Sequence, residues 1–350
     1  MRRTTDVREA AGALAAGRLV AVPTETVYGL AARADDEAAV ARIFRAKARP
    51  ATHPLIVHIA SSAACDAWVA TLPAYARRLT ATYWPGPLTV VLPRSRRAGD
   101  GLTGGQASIA VRWSAHPLLQ AVLDTLVDIT DDRSVAVAAP SANRFGRVSP
   151  TTAEHVLAEF ADPADGNLVL DGGSCAIGVE STIVDCTGEH PRLLRPGLIT
   201  AEDIATITGL RCSTGSQVRA PGTLAHHYAP AARVVLVDPA DLISGSGVAG
   251  AGVAGAGVAG AGVDEGLTSD GRASGVGLIA PVAVPTPPGV IRLAAPVDAA
   301  DYARLLYRAL READDRDLGM VLAVPPAASG IGSAVLDRLL RAAAPGGDVP

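Results

Sequence analysis

The first two hundred residues alternate short apolar runs with segments whose apolar positions recur every three or four residues. That alternation restricts the chain to an α/β fold, because strands and helices of this kind bury their apolar faces against one another. Residues 6–16 read as a helix that stops at Gly17, and residues 19–22 as a buried strand ended by Pro23. Residues 36–47 form an amphipathic helix closed near Pro50. Further strands are expected at 55–59, 88–92, 108–113, 135–139, 168–170, 181–185 and 192–195. Thr151 and Glu154 fit a capping box for a helix running to Phe160. Thr200 and Asp203 open a short helix that Gly209 closes. From 212 to about 230 the pattern gives way to Ser, Thr, Gly, Pro and His, which reads as a linker. Beyond it come strands at 234–238, 276–280, 289–293 and 319–324, with helices over 298–313 and 333–343. This second alternation predicts a smaller, Rossmann-like parallel sheet. The expected organisation is a catalytic unit over 1–211, a linker or lid over 212–232, and a C-terminal unit over 233–350.

Composition narrows the function. Aromatic residues are 3% of the chain, so the core is built from Ala, Val, Leu and Ile. A net charge of −4 argues against a wholesale polyanion binder, while leaving room for a local basic cleft. Cys65, Cys175, Cys186 and Cys212 make no CxxC pair and no zinc-ligand spacing. They read as unpaired thiols of a reducing cytoplasm. The N-terminus lacks a continuous apolar run, so no signal peptide is expected. An uncharged stretch within 242–275 contains a five-residue Gly-Val-Ala-Gly-Ala repeat over 247–261. It reads as a low-complexity loop and not as a membrane span, because bulky apolar residues are nearly absent. The GxGxxG it contains at 250–255 is a by-product of the repeat. The turn Gly330-Ile331-Gly332-Ser333 is read as a plain helix start.

Lys47 is the one lysine among thirty arginines. Val40, Ile43, Phe44 and Lys47 share a helix face, so Lys47 projects inward. A buried ammonium needs a partner. Two remain open: a carboxylate such as Glu25, or a phosphate. Arg49 and His53 follow on a helix-to-strand turn, a grouping suited to an oligophosphate. Pro23-Thr24-Glu25-Thr26-Val27-Tyr28 follows a buried strand, where α/β proteins place ligand loops. Ser141, Asn143 and Ser149 lie in a second such loop, Ser181 and Thr182 in a third, and Arg112 and Arg195 at strand ends.

These segments resemble, in order, the two-domain YrdC-like threonylcarbamoyl-AMP synthases. The resemblance rests on PTETVYGL (23–30), KARP with HPLIVHI (47–59), WPGPLT (84–89), IAVRW (109–113), APSAN (139–143), SPT (149–151), GVESTIVD (178–185), LRPG (194–197) and HYAP (227–230). It implies a YrdC-like α/β domain with a concave basic cleft, followed by the smaller parallel-sheet domain. It implies joining of L-threonine, bicarbonate and ATP into threonylcarbamoyl-AMP and pyrophosphate, for N6-threonylcarbamoyladenosine in tRNA. Mg²⁺ is expected to accompany ATP. Carried over, Lys47, Arg49, His53, Ser108, Ser141, Asn143, Ser149 and Arg195 would hold ATP, with Tyr228 as part of a lid. Lys47 and Arg49 would act in catalysis. Thr26, His58, Arg112, Ser181 and Thr182 would line the threonine pocket. A contact with tRNA or double-stranded RNA, and downstream proteins that transfer the threonylcarbamoyl group, are the implied partners; no membrane is. The location implied is cytoplasmic.

Three rivals are weaker. A pure RNA binder would use Arg77, Arg78, Arg94, Arg96 and Arg97, against an overall negative charge. A serine hydrolase built on Ser141, His155 and Asp171 lacks the G-x-S-x-G elbow. The related hydrogenase-maturation carbamoyltransferases carry paired CxxC fingers, which this chain lacks.

Overall fold

The computed structural model describes residues 1–160, 166–224, 227–243 and 275–345. They form two compact units, Met1–Phe145 with Ser149–Thr223, and Gly146–Val148 with Leu224–Pro350. The expected linker at 212–232 is thus divided between them. The repeat at 247–261 lies outside the described residues.

The first unit is built on eleven strands: β1 (Arg2–Thr4), β2 (Val20–Val22), β3 (Gly29–Arg33), β4 (Ile56–Ile59), β5 (Leu88–Pro93), β6 (Ser108–Arg112), β7 (Ala136–Ala138), β8 (Leu168–Leu170), β9 (Thr182–Asp185), β10 (Arg192–Arg195) and β11 (Ser213–Thr214). They form one mixed sheet in the order β1-β8-β2-β3-β7-β4-β6-β5-β9-β10-β11. β4 and β6 are parallel, and β5 runs antiparallel to β6 but parallel to β9. The side chains split by pleat parity. Val57, Ile59, Val90, Leu92, Ile109 and Val111 enter the largest core cluster. The opposite face carries two smaller clusters. In one, Ala10 and Leu14 of helix Val7–Ala15 and Leu119 and Leu123 of helix Pro117–Thr130 cover Val20 and Val137. In the other, Ile56, Val91, Ala110 and Ile183 lie beneath Val218 and Ala220. The start of the expected linker is therefore a strap over the first unit's sheet.

Most expected elements appear within a residue or two of their predicted ends. Helix Glu37–Lys47 starts where Asp36 accepts the Ala39 N–H at 2.9 Å, and stops where Ala48 turns left-handed at φ 50°. Thr200 and Asp203 form the reciprocal capping box. The box expected at Thr151 and Glu154 does not form. Helix Ala153–Glu159 is capped one residue later by Thr152, which accepts the His155 N–H, and Glu154 instead pairs with Arg3. Elements outside the sequence expectations include β1, β3, helix Ala74–Tyr83 and helix Pro117–Thr130, besides the short pieces Cys65–Trp68, Asp100–Thr103, Ser213–Thr214 and Pro239–Ile243.

The second unit holds a four-stranded parallel sheet, β12 (Arg233–Leu236), β13 (Val276–Ile279), β14 (Val290–Ala294) and β15 (Met320–Ala323), in the order β12-β15-β13-β14. Helices Ala299–Asp315 and Ile331–Ala343 accompany it. The latter opens at Gly330, φ 54°, with no side-chain cap. Tyr228 is buried in this unit, stacked on Tyr307 at 5.8 Å, with the Arg338 guanidinium 5.1 Å from its ring centre.

Gly197, in the turn after β10, approaches the start of β9 so closely that a Cβ there would lie 2.6 Å from Thr182 Oγ1 and 2.8 Å from the Ser181 carbonyl carbon. Both neighbours belong to a fully buried strand entry, so neither can retreat cheaply. Gly197→Ala is expected to lower stability by about 1–3 kcal/mol, read as a reduced urea midpoint with an unchanged m-value.

Candidate functional site

Arg112 closes β6 and is 3% exposed. Two segments, the 23–28 turn and Gly86, hold it. Nε donates to the Gly86 carbonyl at 3.3 Å, Nη1 to Thr26 Oγ1 at 2.9 Å, and Nη2 pairs with Glu25 Oε1 at 2.8 Å. Glu25 also accepts from the Ser114 hydroxyl and from the Ala115 N–H. Burial opposes ionisation of Glu25, but Arg112 and Ser114 outweigh it and bring the carboxyl down to about 2. The 23–28 turn is pinned from outside. Ile177 and Gly178 donate to the Glu25 and Thr26 carbonyls, and Tyr28 donates to Pro150. Inside the turn, Thr24 Oγ1 lies 2.8 Å from Thr26 Oγ1 and takes the Thr26 and Val27 N–H groups.

Register extends the site across the sheet. His58 on β4 and Thr89 on β5 both stand opposite Arg112, so the three share a face. Burial and the neighbouring guanidinium, against Glu25, hold the His58 imidazole down to about 3, so it is neutral near pH 7. Thr89 Oγ1 is 2.8 Å from Ser181 Oγ. Arg195 clasps Ser181 through its carbonyl at 3.0 Å and its hydroxyl at 3.1 Å, and donates to the Pro221 carbonyl of the strap at 3.2 Å. Thr182 points the other way. Its hydroxyl donates to the Ile199 carbonyl and accepts the Ile199 N–H, so it tethers that turn.

The second group surrounds Lys47, which is 2% exposed. Its ammonium donates to two backbone carbonyls, Ser141 at 2.6 Å and Asn143. The carboxylate expected as one possible partner, Glu25, is committed to Arg112. Burial, reinforced by Arg49, pushes the Lys47 ammonium well below its ordinary range. Arg49, also buried, donates to the Pro54 carbonyl at 2.9 Å and lies 5.6 Å from the Phe145 ring centre. His53 meets the same ring edge-on at 5.2 Å, and burial, Arg49 and Arg219 lower its pKa. Phe145 donates its N–H to the Lys47 carbonyl, which locks the 141–145 turn against the helix end.

The remaining candidates divide. Ser149 donates to Glu180 at 2.7 Å, next to Ser181. Asn143 donates from Nδ2 to the Arg144 carbonyl, and its own carbonyl faces Lys47. Ser108 lies on the Arg112 face but four residues away, about 13 Å along β6. Tyr228 belongs to the second unit and packs there on Tyr307, His227 and Arg338. Glu25, Thr89, Glu180, Phe145 and Arg219 are site residues that the sequence reading did not assign. Glu25 and Thr89 lay within recognised motifs, whereas Arg219 had no local signal. The rival constellations do not assemble. His155 Nδ1 takes the Thr151 N–H, and Asp171 takes the Gly173 N–H and faces Arg3. Arg78 binds the carbonyls of Ile207 and Thr208, Arg94 pairs with Asp100, and Arg97 pairs with Asp132 over Trp68. Among the described residues no three His, Cys, Asp or Glu side chains converge as a metal site. None of their helices is long and apolar enough to cross a membrane.

A mixed sheet bearing a buried guanidinium–carboxylate pair and a separate turn holding buried Lys47 and Arg49, followed by a parallel-sheet unit, defines a class of two-unit α/β proteins. Residues 12–197 match the Sua5, YciO and YrdC family model, described as telomere recombination, and residues 199–344 match the threonylcarbamoyl-AMP synthase C-terminal domain. The chain is 38% identical to the threonylcarbamoyl-AMP synthase of Pyrococcus abyssi, over 96% of this chain and 93% of that one. It is 34% identical to that of Bacillus subtilis, over 96% and 92%. The crystal structure of P. abyssi Sua5 complexed with L-threonine superposes with a TM-score of 0.78 at 36% identity, covering 98% of this chain and 96% of that one. This chain belongs to the threonylcarbamoyl-AMP synthase family.

The buried pair makes stability acid-sensitive. His58, lowered to about 3, takes up a proton more readily unfolded than folded between there and its ordinary value near 6.5. Glu25, lowered to about 2, does the same between there and its ordinary value of 4.5. Both therefore favour the folded state at neutral pH and lose that contribution as the pH falls. Denaturant midpoints are expected to decline from about pH 6.5 downward, and Glu25→Gln is expected to flatten the part below 4.5. A midpoint constant from pH 7 to pH 3 would contradict the assignment.

Proposed function

We propose that this chain makes L-threonylcarbamoyl-AMP from L-threonine, bicarbonate and ATP, releasing pyrophosphate, as a nucleotidyltransferase in tRNA modification. Family membership sets the reaction class, and one observation supports it most directly. Lys47 and Arg49 are buried side by side with backbone carbonyls as partners, Ser141 and Asn143 for one and Pro54 for the other. Two basic side chains buried next to each other beside the 141–145 turn suit a polyphosphate.

In this reading the triphosphate lies against Lys47, Arg49 and His53. Ser108, Ser141, Asn143, Ser149 and Arg195 contribute to the nucleotide side, and Tyr228 belongs to a lid. Threonine lies against Arg112, Thr26, His58 and Ser181, and Thr182 supports that pocket through its Ile199 tether. The amine and bicarbonate condense to a carbamate, with loss of water. A carbamate oxygen then attacks the α-phosphorus as pyrophosphate leaves. No protein nucleophile is required, and the work is alignment of two anions and neutralisation of their charge. Mg²⁺ would accompany the ATP phosphates. The nearby carboxylates Glu25 and Glu180 are already engaged with Arg112 and Ser149, so these residues fit a nucleotide-borne ion better than a protein cage. The labile adenylate would pass to tRNA threonylcarbamoyl-transfer proteins in the cytoplasm.

Purified protein is expected to release pyrophosphate from ATP only when threonine and bicarbonate are both present, and without tRNA. Release independent of threonine would exclude the reading. Lys47→Arg puts a planar fork where two carbonyls fit a point charge, so the 141–145 turn must shift. Pyrophosphate release in that variant is expected to fall by about 100-fold, with circular dichroism and melting little changed. Burial disfavours the free Lys47 ammonium and an anion bound beside it favours it, so binding raises its pKa. ATP binding is therefore expected to weaken as pH rises, with proton uptake wherever the free amine has lost its proton. Calorimetry in buffers of different ionisation enthalpy measures that uptake, and Lys47→Met should abolish it.

A further inference from the structure

In the proposed amino-acid site Arg112 takes the carboxylate, and its buried partner Glu25 stands beside it. A guanidinium offers five N–H donors. Arg112 commits one from Nε and one from Nη1, and Nη2 faces Glu25 as an ion pair. At least two remain, the number a carboxylate uses when it binds bidentately. Glu25 is the more open member of the pair, its side chain 13% exposed against 4% for Arg112. The two opposite charges stand 2.8 Å apart. The carboxylate and ammonium of an α-amino acid are held about 3 Å apart by covalent geometry. Two titratable neighbours of the pair add no charge to it: burial keeps His58 neutral and pushes the Cys175 thiol up to about 12. The pair itself thus presents one plus and one minus charge, adjacent and fixed. A monoanion placed there would leave Glu25 facing an unbalanced negative charge, whereas a zwitterion would not.

We infer that Glu25 binds the ammonium of the amino-acid substrate, so that the Arg112–Glu25 pair receives the whole zwitterion. This rests on the reading of the pocket as an amino-acid site. Glu25 is then the residue that selects for a free α-amine, and the Ser114 hydroxyl and Ala115 N–H hold its carboxylate in place. Thr26, on the other side of the guanidinium, would be left to the rest of the ligand.

The test is a binding comparison on the full chain without ATP or bicarbonate, so it does not depend on turnover. L-Threonine is compared with its 2-hydroxy analogue, 2,3-dihydroxybutanoate of matching configuration, by isothermal titration. The wild type is expected to prefer threonine by about 10- to 100-fold, the value of one charge-assisted hydrogen bond. Glu25→Gln should reduce that preference to within about threefold, and Glu25→Asp, which withdraws the carboxylate while keeping its charge, should reduce it partway. A wild type that binds both ligands equally overturns the inference. So does a folded Glu25→Gln or Glu25→Asp that keeps the full preference. If Glu25→Gln does not fold, Glu25→Asp decides alone. Should pyrophosphate release prove independent of threonine while the amine preference follows Glu25, the proposed reaction fails and the zwitterion site stands.

Discussion

A guanidinium at 3% exposure cannot rely on water, and the first unit is arranged around satisfying Arg112. Its partners come from the 23–28 turn, from Gly86 and, through register, from the strands carrying His58 and Thr89. Each partner must itself be held. Glu25 draws in Ser114 and Ala115, and Thr26 draws in Thr24. The turn's carbonyls draw in Ile177 and Gly178. The result is a network in which removing one member leaves another buried charge unpaired, a more costly event than losing a surface ion pair.

Lys47 obeys the same rule with different means. Where Arg112 has a carboxylate, Lys47 has two carbonyl dipoles. The two basic side chains therefore sit in different environments on one unit, a charge-paired one at Arg112 and a carbonyl-lined one at Lys47. That contrast matches a reaction that must bring together a zwitterionic amino acid and a polyanionic nucleotide.

Much of this could be read from local pattern. The inward phase of Lys47 followed from Val40, Ile43 and Phe44, and the strand carrying Arg112 followed from its apolar run. The partner of Lys47 did not, because no local signal distinguishes a carboxylate from a carbonyl 94 or 96 residues away. Glu25 was considered for Lys47 and belongs to Arg112, 87 residues further along the chain. Thr182 looked like its neighbour Ser181, but strand parity sends the two side chains to opposite faces. The strap was legible only as a polar linker, since Val218 and Ala220 gain meaning from the sheet beneath them. The strand Gly29–Arg33 carries few large apolar residues and is held by its neighbours, not by propensity.

The sheet order also bears on how the chain is made. β1, at Arg2–Thr4, pairs with β8, at Leu168–Leu170, and β5 pairs with β9 nearly a hundred residues later. A ribosome delivering this chain from its amino end releases the first strand long before its partner exists. Until residue 170 emerges, β2 and β1 present open edges, and until residue 185 does, so does β5. Unpaired edges of apolar strands are where nascent chains stick to one another. The first unit's sheet therefore cannot be completed before residues 168–185 have been made.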